Sequence, residues 1–313
     1  MKIGLIASWP SFIRDLVKHW QIDGHEVKVT EDAANCDWKG SPDLLFLEWA
    51  NENAVAVTNF LTGKDRPPVI VRLHRYELFS DFPRQINWQN VDGLVVVAEW
   101  VREQFPKLHP DVKFPPVHVI PNGLDVEKWT FRSRFKVKNP KIAFVGDFSH
   151  KKNIPLLLQA ACVLPQATFH IAGPVYDLAY WTHYKNFCDK AGIARRVLYE
   201  GKVEMNDWLE DKDFIICTSA MPESQGMALM EAMAKGIKPL VFNFMGAETL
   251  YPETCIWTTL RDLHDTVAGH YNSYEYREWV KKYCDMGTMH GKWDILINNV
   301  MAAKKVFETV SME

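Results

Sequence analysis

The sequence predicts an α/β protein of two doubly wound parallel sheets, on three observations. Short apolar runs alternate with longer helical patterns along the whole chain. Those runs are continuously apolar rather than alternating residue by residue, as strands covered by helices on both faces require. The 313 residues, 47% hydrophobic and 12% aromatic, can fill two cores of roughly 150 residues each.

Taken in order, the strand-like runs of the first half are KIGLIAS (2–8), HEVKVT (25–30), DLLFLEW (43–49), VIVRLH (69–74), GLVVVA (93–98) and VHVI (117–120). A boundary follows at Pro121 and the Asn122-Gly123 turn. In the next stretch, 131–141, Arg132, Arg134, Lys136 and Lys138 alternate with Phe131, Ser133, Phe135 and Val137. It reads as an extended linker that keeps its charges in water, with a strand bearing one basic face as the alternative. The second half continues with KIAFVG (141–146), TFHIAG (168–173), VLYEG (197–201), DFIICTS (213–219) and KPLVFN (238–243). At the end, Trp293, Leu296, Ile297, Val300, Met301 and Phe307 fall at helical spacing, the pattern of an amphipathic helix packed on a core. The expected domains are 1–124 and 125–289, with a final helix at about 290–313.

The net charge of −3 and a pI near 6.4 carry no global sign of nucleic-acid or membrane binding, so any basic surface must be local. Six cysteines show no C-x-x-C pair or zinc spacing, and reduced cytosolic thiols are expected. The opening IGLIAS is too short for a signal peptide's hydrophobic region, and no run reaches the 18 or so apolar residues of a membrane span. A soluble, cytoplasmic protein is expected. Residues 11–20, with Arg14, Lys18 and His19, make only a weak basic amphipathic helix.

The most informative stretch is ESQGMALMEAMAKG, 223–236. It sets Glu223 and Glu231 eight positions apart, the second inside a segment otherwise apolar enough to be a buried helix. A buried carboxylate needs a partner, either a ligand hydroxyl or Lys235 one helical turn on. DFIICTS, then a loop with Pro222 and Gly226, then the helix make a strand, loop and helix. Ligands of open α/β sheets bind beyond the carboxyl ends of strands, where helix N-termini point N–H groups at them. An anion is therefore expected near Gly226, Met227 and Ala228. Paired carboxylates can also serve hydrolysis by acid and base. No H-E-x-x-H motif and no zinc-like Cys/His spacing occurs.

Here the sequence resembles the retaining glycosyltransferases of family 4, which have the two-domain GT-B fold and an E-x(7)-E donor-site signature. The resemblance is also carried by VIPNGLDVEKW (119–129), AFVGDFSHKKN (143–153), FHIAGP (169–174), VLYEGKV (197–203) and WLEDKDFIICTS (208–219), in the family's order. It implies two Rossmann-like domains facing across a cleft, with the last helix crossing back to the first domain. It also implies transfer of a hexose-type sugar from a nucleoside diphosphate donor, most simply a UDP-sugar, with no metal and no cofactor. On the donor side it places Gly146, Val203, Gly226, Met227 and Ala228, with Lys152 on the phosphates, Glu231 on the ribose and Glu223 beside the transferred sugar. His74 would reach the reacting centre from a first-domain strand, with Glu48, Arg72 and Arg75 on the acceptor side. Many members have an arginine directly after the glycine; this chain has Asp147, so Lys151, another cation or helix N–H groups must replace that contact.

Retention in the family proceeds by same-face attack, the leaving phosphate taking the acceptor's proton, so no protein base is assigned. The acceptor is a hydroxyl on a glycan, a lipid-linked sugar or a small molecule. DNA with hydroxymethylated bases is the alternative, drawing on Arg72, Arg75, Arg132, Arg134, Lys136, Lys138, Lys151 and Lys152. A nucleotide-sugar 2-epimerase and a non-catalytic nucleotide-sugar-binding protein are the other readings.

Overall fold

The computed structural model describes residues 1–35, 42–63 and 65–310, and the chain divides into two compact units. One contains residues 1–123 and 287–313; the other contains 124–286.

The first unit holds strands β1 (Lys2–Ala7), β2 (Glu26–Thr30), β3 (Leu44–Glu48), β4 (Val69–Leu73), β5 (Gly93–Val96) and β6 (Val117–Val119). They form one parallel sheet in the order β2-β1-β3-β4-β5-β6. Residues 44–48, 69–73 and 93–96 are buried throughout, as the continuous apolar runs predict for strands covered on both faces. The last helix, Met286–Val310, packs on this unit. Trp293 is fully buried and meets Phe46 and Trp20 edge-on, with ring centroids 5.0 and 6.1 Å apart. The helix runs over β5, where Leu296 and Val300 lie against Gly93. The side chain of Phe307, the last member of the expected stripe, lies outside the described residues.

The second unit holds β7 (Lys141–Val145), β8 (Thr168–Ala172), β9 (Val197–Gly201), β10 (Phe214–Cys217), β11 (Lys238–Phe242) and β12 (Ile256–Trp257). Its parallel sheet runs β12-β11-β10-β7-β8-β9. Ile142, Phe144, Phe169, Phe214, Leu240 and Trp257 belong to its core. Each predicted run contains a strand. β12 was missed because a two-residue strand carries no periodicity.

The 131–141 stretch departs from the expected solvated linker at one residue. Arg134 is only 8% exposed. Its guanidinium donates to the carbonyls of Lys212 at 3.0 Å and Glu210 at 3.2 Å, and also to that of Lys235, which closes the helix Met227–Ala234. A helix end leaves carbonyls without intrahelical partners, and a rigid fork of donors can satisfy several together. Arg132, Lys136 and Lys138 do remain exposed. Among the described residues no helix is long and apolar enough to cross a membrane.

Candidate functional site

In the second unit the direction of winding reverses between β7 and β10, the position where an open parallel sheet leaves a crevice beyond its strand ends. The segment after β7 carries Gly146 to Lys152, and the segment after β10 carries Thr218 to Glu223. Two bonds stitch them together: the Ala220 N–H donates to the Lys151 carbonyl at 3.0 Å, and the Thr218 hydroxyl donates to that of Lys152 at 2.7 Å. Lys152 Nζ consequently lies 2.7 Å from Glu223 Oε1, and Lys151 Nζ lies 3.4 Å from Oε2. The Ser219 hydroxyl donates to Oε1 at 2.7 Å. Burial alone would raise the Glu223 pKa and depress that of Lys152. The attraction between them prevails, holding the carboxyl below its ordinary range and the ammonium above its own.

Glycine shapes this loop. Gly173 adopts φ +142° and passes so near that a Cβ would fall 2.1 Å from the Gly146 carbonyl oxygen. Asp147 is half-buried, and its charge helps keep Lys152 protonated. In place of a second cation at position 147, Lys151 is the one that joins Lys152 on Glu223.

Gly226 opens the helix Met227–Ala234 in the left-handed conformation, φ +67°, where a Cβ would meet the Tyr251 hydroxyl at 2.5 Å. That hydroxyl donates to the Gln225 carbonyl at 2.6 Å and fixes the turn. The N–H groups of Met227 and Ala228 have no acceptor among the described residues. One turn on, Glu231 is half-buried, has no hydrogen-bond or ion-pair partner among the described residues, and is pushed up to about 7 by burial. The alternative partner does not serve: Lys235 turns to Asn206 at 2.7 Å and Glu210 at 3.0 Å. Val203 is half-buried two residues beyond β9.

The first unit assembles a second group. Its winding reverses between β1 and β3, with β4 beside β3. Glu48 at the end of β3 is fully buried and receives His74 Nε2 at 2.8 Å and Arg72 Nη1 at 3.4 Å. Arg72 Nη2 also donates to Asn122 at 2.6 Å. Burial would raise the Glu48 pKa, but Arg72 and His74 outweigh it and keep the group ionised. An ionised carboxylate only accepts, so the Nε2 of His74 carries the proton. Burial lowers the His74 pKa further than Glu48 raises it, and the imidazole is neutral at pH 7. Arg75, in the short helix Arg75–Leu78, is half-buried.

Trp49 stacks on His74 with ring centroids 4.1 Å apart and has φ +88°. A bulky residue held in that region costs about 1–3 kcal/mol and persists only where its surroundings impose it. Trp9, just past β1, meets Trp49 edge-on at 4.9 Å and is 52% exposed. Sequence reasoning missed Trp9: a lone tryptophan before a proline carries no pattern, and only the β1-β3 pairing sets it beside Trp49. Nor could it show that Asp294, 275 residues from His19, joins His19 and Asp23 in a cluster whose side-chain ligand atoms lie within 4.8 Å of one another.

A family model described as glycosyl transferases group 1 matches residues 125–251. No curated protein sequence matches the chain. Solved structures do resemble it. HepE from Anabaena, in complex with UDP and glucose, superposes with a TM-score of 0.74 at 15% identity, covering 96% of this chain and 100% of that one. Sucrose-phosphate synthase from Thermosynechococcus elongatus gives 0.76 at 14%, covering 97% and 100%. The lipopolysaccharide outer core galactosyltransferase WaaB in its apo form gives 0.75 at 14%, covering 96% and 99%. The fold is the two-domain, Rossmann-like GT-B fold.

Proposed function

We propose that this protein is a retaining glycosyltransferase that moves a hexose-type sugar from a UDP-sugar to an acceptor hydroxyl. The observation that carries the reading is the set at the β7-β10 reversal. Two lysines converge on one carboxylate, beside a helix with free N-terminal N–H groups and an unpartnered Glu231. A nucleoside diphosphate has a complement for each part: phosphate oxygens for the lysines and N–H groups, and ribose hydroxyls for Glu231. The group 1 family match across 125–251 and the capture of HepE with UDP, and with UDP-glucose, support this choice of donor.

In the mechanism proposed, the acceptor oxygen attacks the anomeric carbon on the face from which the phosphate departs. The leaving phosphate takes the acceptor's proton. Lys152 stabilises the charge growing on that phosphate, having exchanged part of its contact with Glu223 for the donor. Glu223, released from one cation, lies beside the transferred sugar. From the first unit, neutral His74, fixed by Glu48, is the polar group assigned to the reacting centre. No protein base and no metal enters this scheme.

Calorimetry with UDP, UMP and uridine tests the donor assignment. UDP should bind at least ten times more tightly than uridine, since each charge-assisted phosphate contact contributes about 1.5–3 kcal/mol. Equal affinity for all three, or no binding, removes the nucleotide from the site.

A further inference from the structure

We propose that Trp9 and Trp49 form a stacking platform for the acceptor, and that the acceptor is a neutral carbohydrate presenting the flat face of a pyranose ring. This rests on the transferase reading and specifies its substrate class.

Four observations converge, all within the first unit. Trp9 and Trp49 leave the carboxyl ends of β1 and β3, the two strands between which the winding reverses, where an open parallel sheet receives its ligand. Trp49 is held there in a strained backbone conformation that a glycine would relieve, its ring stacked on His74 and meeting that of Trp9 edge-to-face. Trp9 keeps half its surface in water, although an indole of that size is ordinarily driven inward. A row of amides and a hydroxyl adjoins it: Ser8 accepts from Asn51 at 2.9 Å and from Asn53 at 3.3 Å. The hydroxyl hydrogen of Ser8 has no acceptor among the described residues. An apolar face with a few fixed amide and hydroxyl groups beside it suits a sugar ring, whose C–H face is apolar and whose edge is hydroxylated.

Beside the two tryptophans the charges disfavour a polyanion. Arg72, counted among the basic groups that could meet phosphates, is committed to Glu48 and Asn122. The loop after β2, tied to this region by Asn53 through the Glu31 carbonyl and the Ala33 N–H, exposes Glu31 and Asp32. Glu52, beside Asn51 and Asn53, is also exposed. Carboxylates at the rim repel phosphates and leave a neutral sugar unaffected.

Saturation-transfer NMR on the UDP-loaded protein tests the proposal. The probes are methyl glycosides of glucose, galactose, mannose and N-acetylglucosamine, with a hydroxymethylcytosine-containing oligonucleotide as the competing class. At least one glycoside should receive saturation through its ring C–H protons. Its affinity should fall about tenfold in Trp9→Ala and largely survive in Trp9→Phe, the size expected for one aromatic contact. UDP affinity and melting temperature should be the same in all three proteins, which separates loss of the platform from loss of the donor site or of the fold. A glycoside that binds Trp9→Ala as well as wild type overturns the proposal. So does a panel in which no glycoside binds, and so does an oligonucleotide that binds in their place and loses affinity in Trp9→Ala.

Discussion

Replacing Glu231 by glutamine should make the protein more stable and less able to bind nucleotide, and the effect should depend on pH. Burial moves this carboxyl from 4.5 to about 7 with no partner to offset it. Between those values the folded protein holds a proton that the unfolded chain has already released. Stability therefore falls as pH rises through this window, and the whole loss is present above it. A rise of roughly 2.5 in pKa corresponds to about 3 kcal/mol at about 1.4 kcal/mol each. Water reaches this half-buried carboxylate, which reduces the expected penalty to about 1–2 kcal/mol. For a unit of this size that is about 2–8 °C in melting temperature. Glu231→Gln, isosteric and uncharged, should thus melt higher than wild type at pH 8 and lose that advantage near pH 4.5. UDP affinity at pH 8 should drop about tenfold or more, because an amide is a poorer acceptor than a carboxylate for two ribose hydroxyls. Differential scanning fluorimetry at both pH values, with calorimetry at pH 8, reads each quantity. The same melting difference at both pH values would refute the reasoning, since it would mean that the proton is not involved.

Lys152→Ala should weaken UDP binding about 10- to 100-fold while leaving uridine binding nearly unchanged, the loss of one charge-assisted contact; equal losses in calorimetry would assign Lys152 to the fold. His74→Ala should bind UDP normally and lose most turnover, and unaltered turnover would make the Glu48–His74 pair purely structural. Gly173→Ala should cost at least about 2 kcal/mol in urea unfolding, because its φ and the 2.1 Å approach to Gly146 both oppose a side chain, and it should weaken UDP binding by moving the Lys152 loop. An unchanged unfolding midpoint would contradict that account of the loop.

The strands were legible because parallel strands buried on both faces leave uninterrupted apolar runs, and each predicted run contains one. The helix carrying Glu231 was legible for a related reason: a single carboxylate among apolar residues is conspicuous. What the sequence could not show was pairing at a distance. Lys152 and Glu223 are 71 residues apart, and their ion pair depends on β7 lying beside β10. Arg134 looked like one of four solvated cations in an alternating stripe, and only the folded positions of residues 209–212 and 235 show it as a cap on carbonyl groups. Trp9 had no local signal at all; its neighbour Trp49 comes from a different strand.

The central claim is sugar transfer from a nucleotide donor, and the release of nucleoside diphosphate tests it most directly. The purified protein is incubated with UDP-glucose, UDP-galactose, UDP-N-acetylglucosamine and their GDP counterparts, each with and without a set of glycoside acceptors. Release of UDP from at least one UDP-sugar, strongly accelerated by an acceptor and accompanied by a glycosylated product, is the result the account predicts. Conversion of the donor to its epimer without any acceptor would contradict it in favour of an epimerase. Tight donor binding with no turnover under any condition would leave a nucleotide-sugar-binding protein.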